Sequence, residues 1–107
     1  MRFTKHQVIA SLKTVIDPEL GINIVDLGLI YAVKLSTHKK ITTIDLTMTL
    51  TTPGCPLAGI FDTLVKDALQ TGLNLDKNTS ININLTFDPP WTPDMMTPEA
   101  RAELGFD

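Results

Sequence analysis

Thr51-Thr52-Pro53-Gly54-Cys55-Pro56-Leu57 separates two patterns of different period, and the fold class follows from them. Before it, Ile41 to Leu50 alternates: Ile44, Leu46, Met48 and Leu50 fall on one face, Thr43, Asp45, Thr47 and Thr49 on the other. That is the two-residue repeat of a half-buried strand. After it, Leu57, Ile60, Phe61, Leu64, Val65, Ala68 and Leu69 recur at helical spacing. Pro56 suits the first helical position, where a missing N–H costs nothing. Cys55, the only cysteine, is therefore expected at or beside the cap of a helix that follows a strand. Unpaired N–H groups and the positive helix end favour a thiolate there. The alternative is a small apolar residue packed at a tight turn.

Outward from this junction, the chain reads as further elements of the same small sheet. The strand Leu29 to Ser36 places Leu29, Tyr31, Val33 and Leu35 on one face, and Thr37-His38-Lys39-Lys40 joins it to the next strand as a hairpin. Downstream of the helix, Gly72 is expected as its C-terminal cap residue. Ile81, Ile83, Leu85 and Phe87 then alternate with Asn82, Asn84 and Thr86. Strand, helix and strand in succession imply a crossover and a parallel pair. The expected fold is a two-layer α/β or α+β domain: a small mixed sheet, hairpin plus βαβ unit, with helices packed on it.

The ends of the chain add two helices. Thr4-Lys5-His6-Gln7 has the form of a capping box, and Val8, Ile9, Leu12, Val15 and Ile16 predict a helix over residues 5–16. Asp17-Pro18-Glu19 should stop it, because the residue before a proline leaves the α region. Gly21 to Val25 reads as a short extended piece and Asp26-Leu27-Gly28 as a turn or bulge. After Asp88-Pro89-Pro90-Trp91-Thr92-Pro93-Asp94, Thr97 caps a short helix with Pro98 at its first position, ending near Leu104-Gly105.

Composition limits the function classes. A chain of 107 residues, 43% hydrophobic and 20% charged, forms one domain, residues 1–107. A net charge of −3, with no basic run longer than Lys39-Lys40, argues against nucleic acid as a partner. No apolar stretch reaches the ~20 residues of a membrane span. The N-terminus has no signal-peptide apolar segment, and a single cysteine cannot form an internal disulfide, so a cytoplasmic setting is expected.

The last strand runs parallel to the one before Cys55, so Asp88 and Trp91 should emerge on the same edge as the cysteine. Trp91 either contributes there or packs the tail onto the sheet. Thr51 and Thr52 offer hydroxyl donors to a thiolate or bound sulfide, or cap the helix. Asp17 and Glu19 either face the thiol, raising its pKa, or serve as a turn residue and a solvated charge. His6 and His38 fall on the first turn of a helix and in a hairpin, so cysteine–histidine catalysis is not expected. No second cysteine or histidine pair offers a zinc site.

Five segments in order carry a resemblance: Asp17-Pro18-Glu19, Asp26-Leu27-Gly28-Leu29-Ile30-Tyr31, Thr51 to Leu57, Asp88-Pro89-Pro90-Trp91, and the tail Met96 to Gly105. Together they resemble the SufT/PaaD-like metal–sulfur cluster assembly family over nearly the whole chain. The resemblance implies a compact α/β domain similar to the C-terminal domain of NifU-type scaffolds. It also implies a non-enzymatic role in assembly, maturation or transfer of iron–sulfur clusters. Carried over, Cys55 is the functional thiol and cluster ligand, with Asp17, Glu19, Thr51 and Thr52 lining the site and Trp91 and Arg101 matching the tail. The implied cofactor is a transient iron–sulfur cluster, and the implied partners are scaffold or client apoproteins. Phenylacetate-pathway members carry an added cysteine-rich C-terminal part that this sequence does not show, which sets a ring-oxygenase role apart.

One thiolate cannot satisfy a cluster whose irons take four external ligands. The remainder would come from a second subunit in a homodimer, a client's cysteines or a small thiol. Two other readings stay open: a thiol enzyme with Cys55 as nucleophile, and an adaptor that docks partners through its C-terminal tail.

Overall fold

In the computed structural model, which describes residues 3–18, 20–51 and 58–105, the elements follow the expected order. They are α1 (Lys5–Leu12), β1 (Ile30–His38), β2 (Ile41–Met48), α2 (Ala58–Leu73), β3 (Thr79–Leu85), a 3-10 turn (Pro93–Met95) and α3 (Pro98–Leu104). The sheet order is β1-β2-β3. β1 and β2 are antiparallel, and β2 and β3 are parallel. This is the hairpin plus βαβ unit that the alternating and helical periods predict.

The strand patterns fix which face is covered. Ile44, Leu46, Met48 and Leu50 are all buried. Register pairs Leu46 with Val33 and Ile83, and Ile44 with Leu35 and Ile81. These side chains share the core with Val8 and Leu12 of α1 and with Phe61, Val65 and Leu69 of α2. Each fully buried aliphatic or aromatic side chain there contributes about 1.5–3 kcal/mol. The opposite face is polar, with Asp45 beside Lys34 and Asn82.

Several boundaries differ from expectation, each for a local reason. α1 ends at Leu12, four residues short of Ile16. Val15 already donates its N–H to Leu12, three residues back, and Ile16 bridges to Asn23. The Thr4–Gln7 capping box is present in both directions. The hairpin turns on Lys39 and Lys40 alone, at φ of 50° and 68°. β1 is not one continuous face either, because its register shifts between Ile30 and Ala32. That shift re-aims Tyr31, which was expected beside Leu29 in the core.

Gly72 is not a cap. It lies inside the last turn of α2, and Asn74 at φ 51° takes the left-handed position after the helix. Gly72 is required where α1 crosses α2: a Cβ would strike the Ser11 hydroxyl and come within 2.9 Å of its Cβ. The apolar face of α2 is narrower than its sequence suggests. Ile60 and Leu64 are 51% and 39% exposed, leaving Phe61, Val65 and Leu69 as the buried row. The expectation that Pro56 opens α2 falls on residues outside those described. Thr97 caps α3 by accepting from the Ala100 N–H, and Gly105 ends it at φ 80°.

Candidate functional site

Backbone hydrogen bonds gather one end of the sheet into a frame. Asp17 N–H donates to the Ile22 carbonyl at 2.9 Å, and Ile24 N–H to Val15 at 3.0 Å. Leu29 N–H then donates to Ile24 at 3.1 Å, and Thr49 N–H to Leu29 at 2.9 Å. The Asp17 segment is thereby tied, peptide to peptide, to the end of β2. Thr51 follows Thr49 by two residues on the way out of that strand. Asp17 and Thr51 therefore belong to the same end of the molecule, the end where the segment 52–57 departs.

Asp17 is 3% exposed, and its Oδ1 accepts the Leu20 N–H at 3.1 Å. Its side chain thus closes a turn onto Leu20, combining the turn role with a buried place in the frame. Thr51 is half-buried. The expectations for Glu19, Thr52 and Cys55 lie outside the described residues. His6 and His38 are exposed at separate places, the first turn of α1 and the end of β1.

The tail forms a strap across this end. Thr86 N–H donates to Met48, after which the chain crosses from β3 past β2 towards β1. Trp91 Nε1 donates to the Leu27 carbonyl at 2.6 Å, and the ring packs against the core. Tyr31 donates its hydroxyl to the Pro89 carbonyl at 2.7 Å and lies 3.5 Å from the Met95 sulfur. Thr97 N–H donates to Asp26 at 2.8 Å. Gly28, at φ 81°, lets the strap approach, because a Cβ there would collide with the Met95 carbonyl and lie 2.8 Å from its carbon. Trp91 therefore packs the tail onto the frame, with its indole N–H committed to Leu27.

Arg101 leaves α3 half-buried, and its Nε is buried with no hydrogen-bond partner among the described residues. Sequence reasoning missed Tyr31 as the strap's anchor, and also the turn in which Asn23 accepts from Asp26 N–H and donates to its carboxylate, both at 2.9 Å. An asparagine three residues before an aspartate in a Gly-containing loop was the available signal.

Among the described residues, no group of three or more His, Cys, Asp or Glu side chains is arranged to hold a metal ion. None of the described helices is long and apolar enough to cross a membrane.

A small mixed sheet with helices packed on it and a hydrogen-bonded frame at the end of β2 defines a compact α+β domain. Residues 5–83 match the family model described as iron–sulfur cluster assembly protein. The chain belongs to that family. It is 41% identical to an Fe-S protein maturation auxiliary factor of Porphyromonas gingivalis, over 96% of this chain and 92% of the relative. It is 42% identical to the Fe-S protein maturation auxiliary factor SufT of Staphylococcus aureus, over 85% and 97%. A crystal structure of a domain of unknown function from Bacillus anthracis superposes with TM-score 0.77 at 36% identity, covering 96% of this chain and 92% of that one.

Proposed function

We propose that this chain acts in the maturation of iron–sulfur proteins, handling a cluster as cargo through the Cys55 thiolate. The observation that carries the reading is the convergence of Asp17 and Thr51 on the end of β2, from which the segment bearing the only cysteine departs. Membership of the assembly family and the names of two relatives supply the chemistry.

Counting ligands narrows the mode of action. One thiolate fills one of about four external positions on a cluster. Carboxylates such as Asp17 and Glu19 are hard oxygen donors and suit iron–sulfur iron less well than thiolate. The chain therefore presents a cluster and does not store it, the other ligands coming from a client's cysteines or a small thiol. A scaffold or client apoprotein is accordingly the partner, in a soluble compartment. Trp91 holds the strap against the frame through Leu27.

The experiment is anaerobic transfer to an apo-client with iron, sulfide and thiol supplied, comparing wild type with Cys55→Ala and Cys55→Ser. Wild type is expected to speed client activation. The serine variant should fold within about 1.5 kcal/mol of wild type, the range of a mild substitution, and lose at least tenfold in rate. Equal activation by Cys55→Ala would remove the cysteine from the mechanism.

A further inference from the structure

β3 is an edge strand of an unusual kind. Its seven residues, Thr79-Ser80-Ile81-Asn82-Ile83-Asn84-Leu85, contain no charge and no proline. β2 pairs with one side in unbroken register from Thr79 to Leu85. Past the turn bond from Thr79 N–H to Asp76 at its start, the other side has no backbone hydrogen-bond partner among the described residues. Natural sheets protect such edges with lysines, prolines, bulges or a covering segment. The opposite edge, β1, has three of these devices: Lys34, the register shift at Ile30 and Ala32, and the strap held by Tyr31. The strap leaves β3 immediately after Thr86 and crosses to the β1 side, so it covers nothing on the β3 edge.

The side chains of this edge are also incompletely covered. Ile81 and Ile83 sit in register with the fully buried Ile44 and Leu46, yet both are only half-buried. Leu85 is 44% exposed. The edge thus combines an open row of main-chain donors and acceptors with an apolar shoulder on the core side.

We infer that a second copy of this chain pairs with this edge, β3 against β3 in antiparallel sense, to form a continuous six-stranded sheet. The strand is complementary to itself. A two-fold axis at Asn82 sets Ile81 opposite Ile83 on the core side. On the polar side it sets Ser80 opposite Asn84 and Asn82 opposite its own copy. Thr79 faces Leu85 at each end. No like charges meet within the paired strands, and the aliphatic pairs cover one another. A foreign strand would gain nothing further from an edge without charge or pocket, whereas a second copy is always present at the protein's own concentration.

One strand pair covers less than the ~800 Å² per partner of a standard stable interface. The dimer is therefore weak and concentration-dependent. Its geometry also bears on the cysteine. Antiparallel pairing of β3 turns the two β2 strands in opposite directions, so the Cys55 segments leave at opposite ends of the joined sheet. Each site stays open to its own partner, and this dimer cannot bridge a cluster between two copies.

The test is sedimentation of reduced protein from about 10 µM to about 1 mM, the range expected of a weak interface. Wild type should move from 11.8 kDa towards twice that mass. Asn82→Lys, which sets two lysines against each other on the axis at an exposed position, should weaken association at least tenfold. Asn82→Ser should associate as wild type does. Amide exchange supplies a readout independent of the variants: outward-facing β3 amides should gain protection as concentration rises. Wild type that stays monomeric throughout overturns the proposal. So does equal association by Asn82→Lys, or a dimer in which the β3 amides gain no protection.

Discussion

The indole Nε1 of Trp91 donates a 2.6 Å hydrogen bond to the carbonyl of Leu27. Leu27 is fully buried, so its carbonyl has no ready access to water if the indole is removed. Trp91→Phe keeps most of the ring and deletes the donor. It should cost about 1–3 kcal/mol, the penalty of an orphaned buried acceptor. Trp91→Ala also removes packing and should cost about 3–5 kcal/mol. Thermal or denaturant unfolding of the pair separates donor from volume; equal losses would show that ring packing adds nothing, and an unchanged Trp91→Phe that the hydrogen bond contributes nothing.

Gly28→Ala tests the strap's approach from the other side. Two penalties act together, a left-handed φ of 81° and a collision with the Met95 backbone. Backbone strain alone costs about 1 kcal/mol or more, so a loss above about 2 kcal/mol is expected. Fluorescence of Trp91 should shift as the strap lifts. Unchanged stability and emission would mean that the strap is not seated on residue 28.

Asp17 separates turn from chemistry. Asp17→Asn keeps an oxygen to accept the Leu20 N–H, whereas Asp17→Ala removes it. The alanine variant should lose about 1–2 kcal/mol through an unsatisfied donor. The asparagine variant should fold nearly as wild type and yet slow client activation, because it lacks the carboxylate charge. If Asp17→Asn activates clients at the wild-type rate, Asp17 is a turn residue only.

The hairpin offers a change at the far end of β2 from the site. Lys39 and Lys40 both hold positive φ, a conformation that an Asn-Gly pair adopts readily. The double substitution Lys39→Asn with Lys40→Gly should raise stability by about 1 kcal/mol, because relief of left-handed strain at two positions outweighs the added chain freedom of glycine. Client activation should not change. A drop in midpoint would show that the lysine side chains contribute more than their backbone costs.

Periodicity made the sheet legible. Ile44, Leu46 and Met48 alternate without interruption, and their burial follows directly. It failed where tertiary geometry intervened. Tyr31 continues an apolar alternation in sequence, but a register shift turns it to the strap. Ile60 and Leu64 have helical spacing and still face outward, because a short α1 and a three-stranded sheet cover only one row of α2. Gly72 looked like a stop signal; only the crossing of α1 at Ser11 reveals its purpose. At the end of β2, Asp17 and Thr51 were candidates from sequence, but the main-chain bonds that bring their segments to one end were not legible there. Arg101 could be named too, but its buried Nε, a property of packing, could not be read from a one-dimensional string.

The links from Asp17 through Ile22, Ile24 and Leu29 to Thr49 run entirely through main-chain amides and carbonyls. Such a lattice is blind to side-chain identity, so drift in sequence can repaint the walls of this end without shifting its scaffold. Only proline, which deletes a donor outright, can cut one of its threads. Related chains can therefore vary the surface around the end of β2 while its main-chain anchorage stays the same.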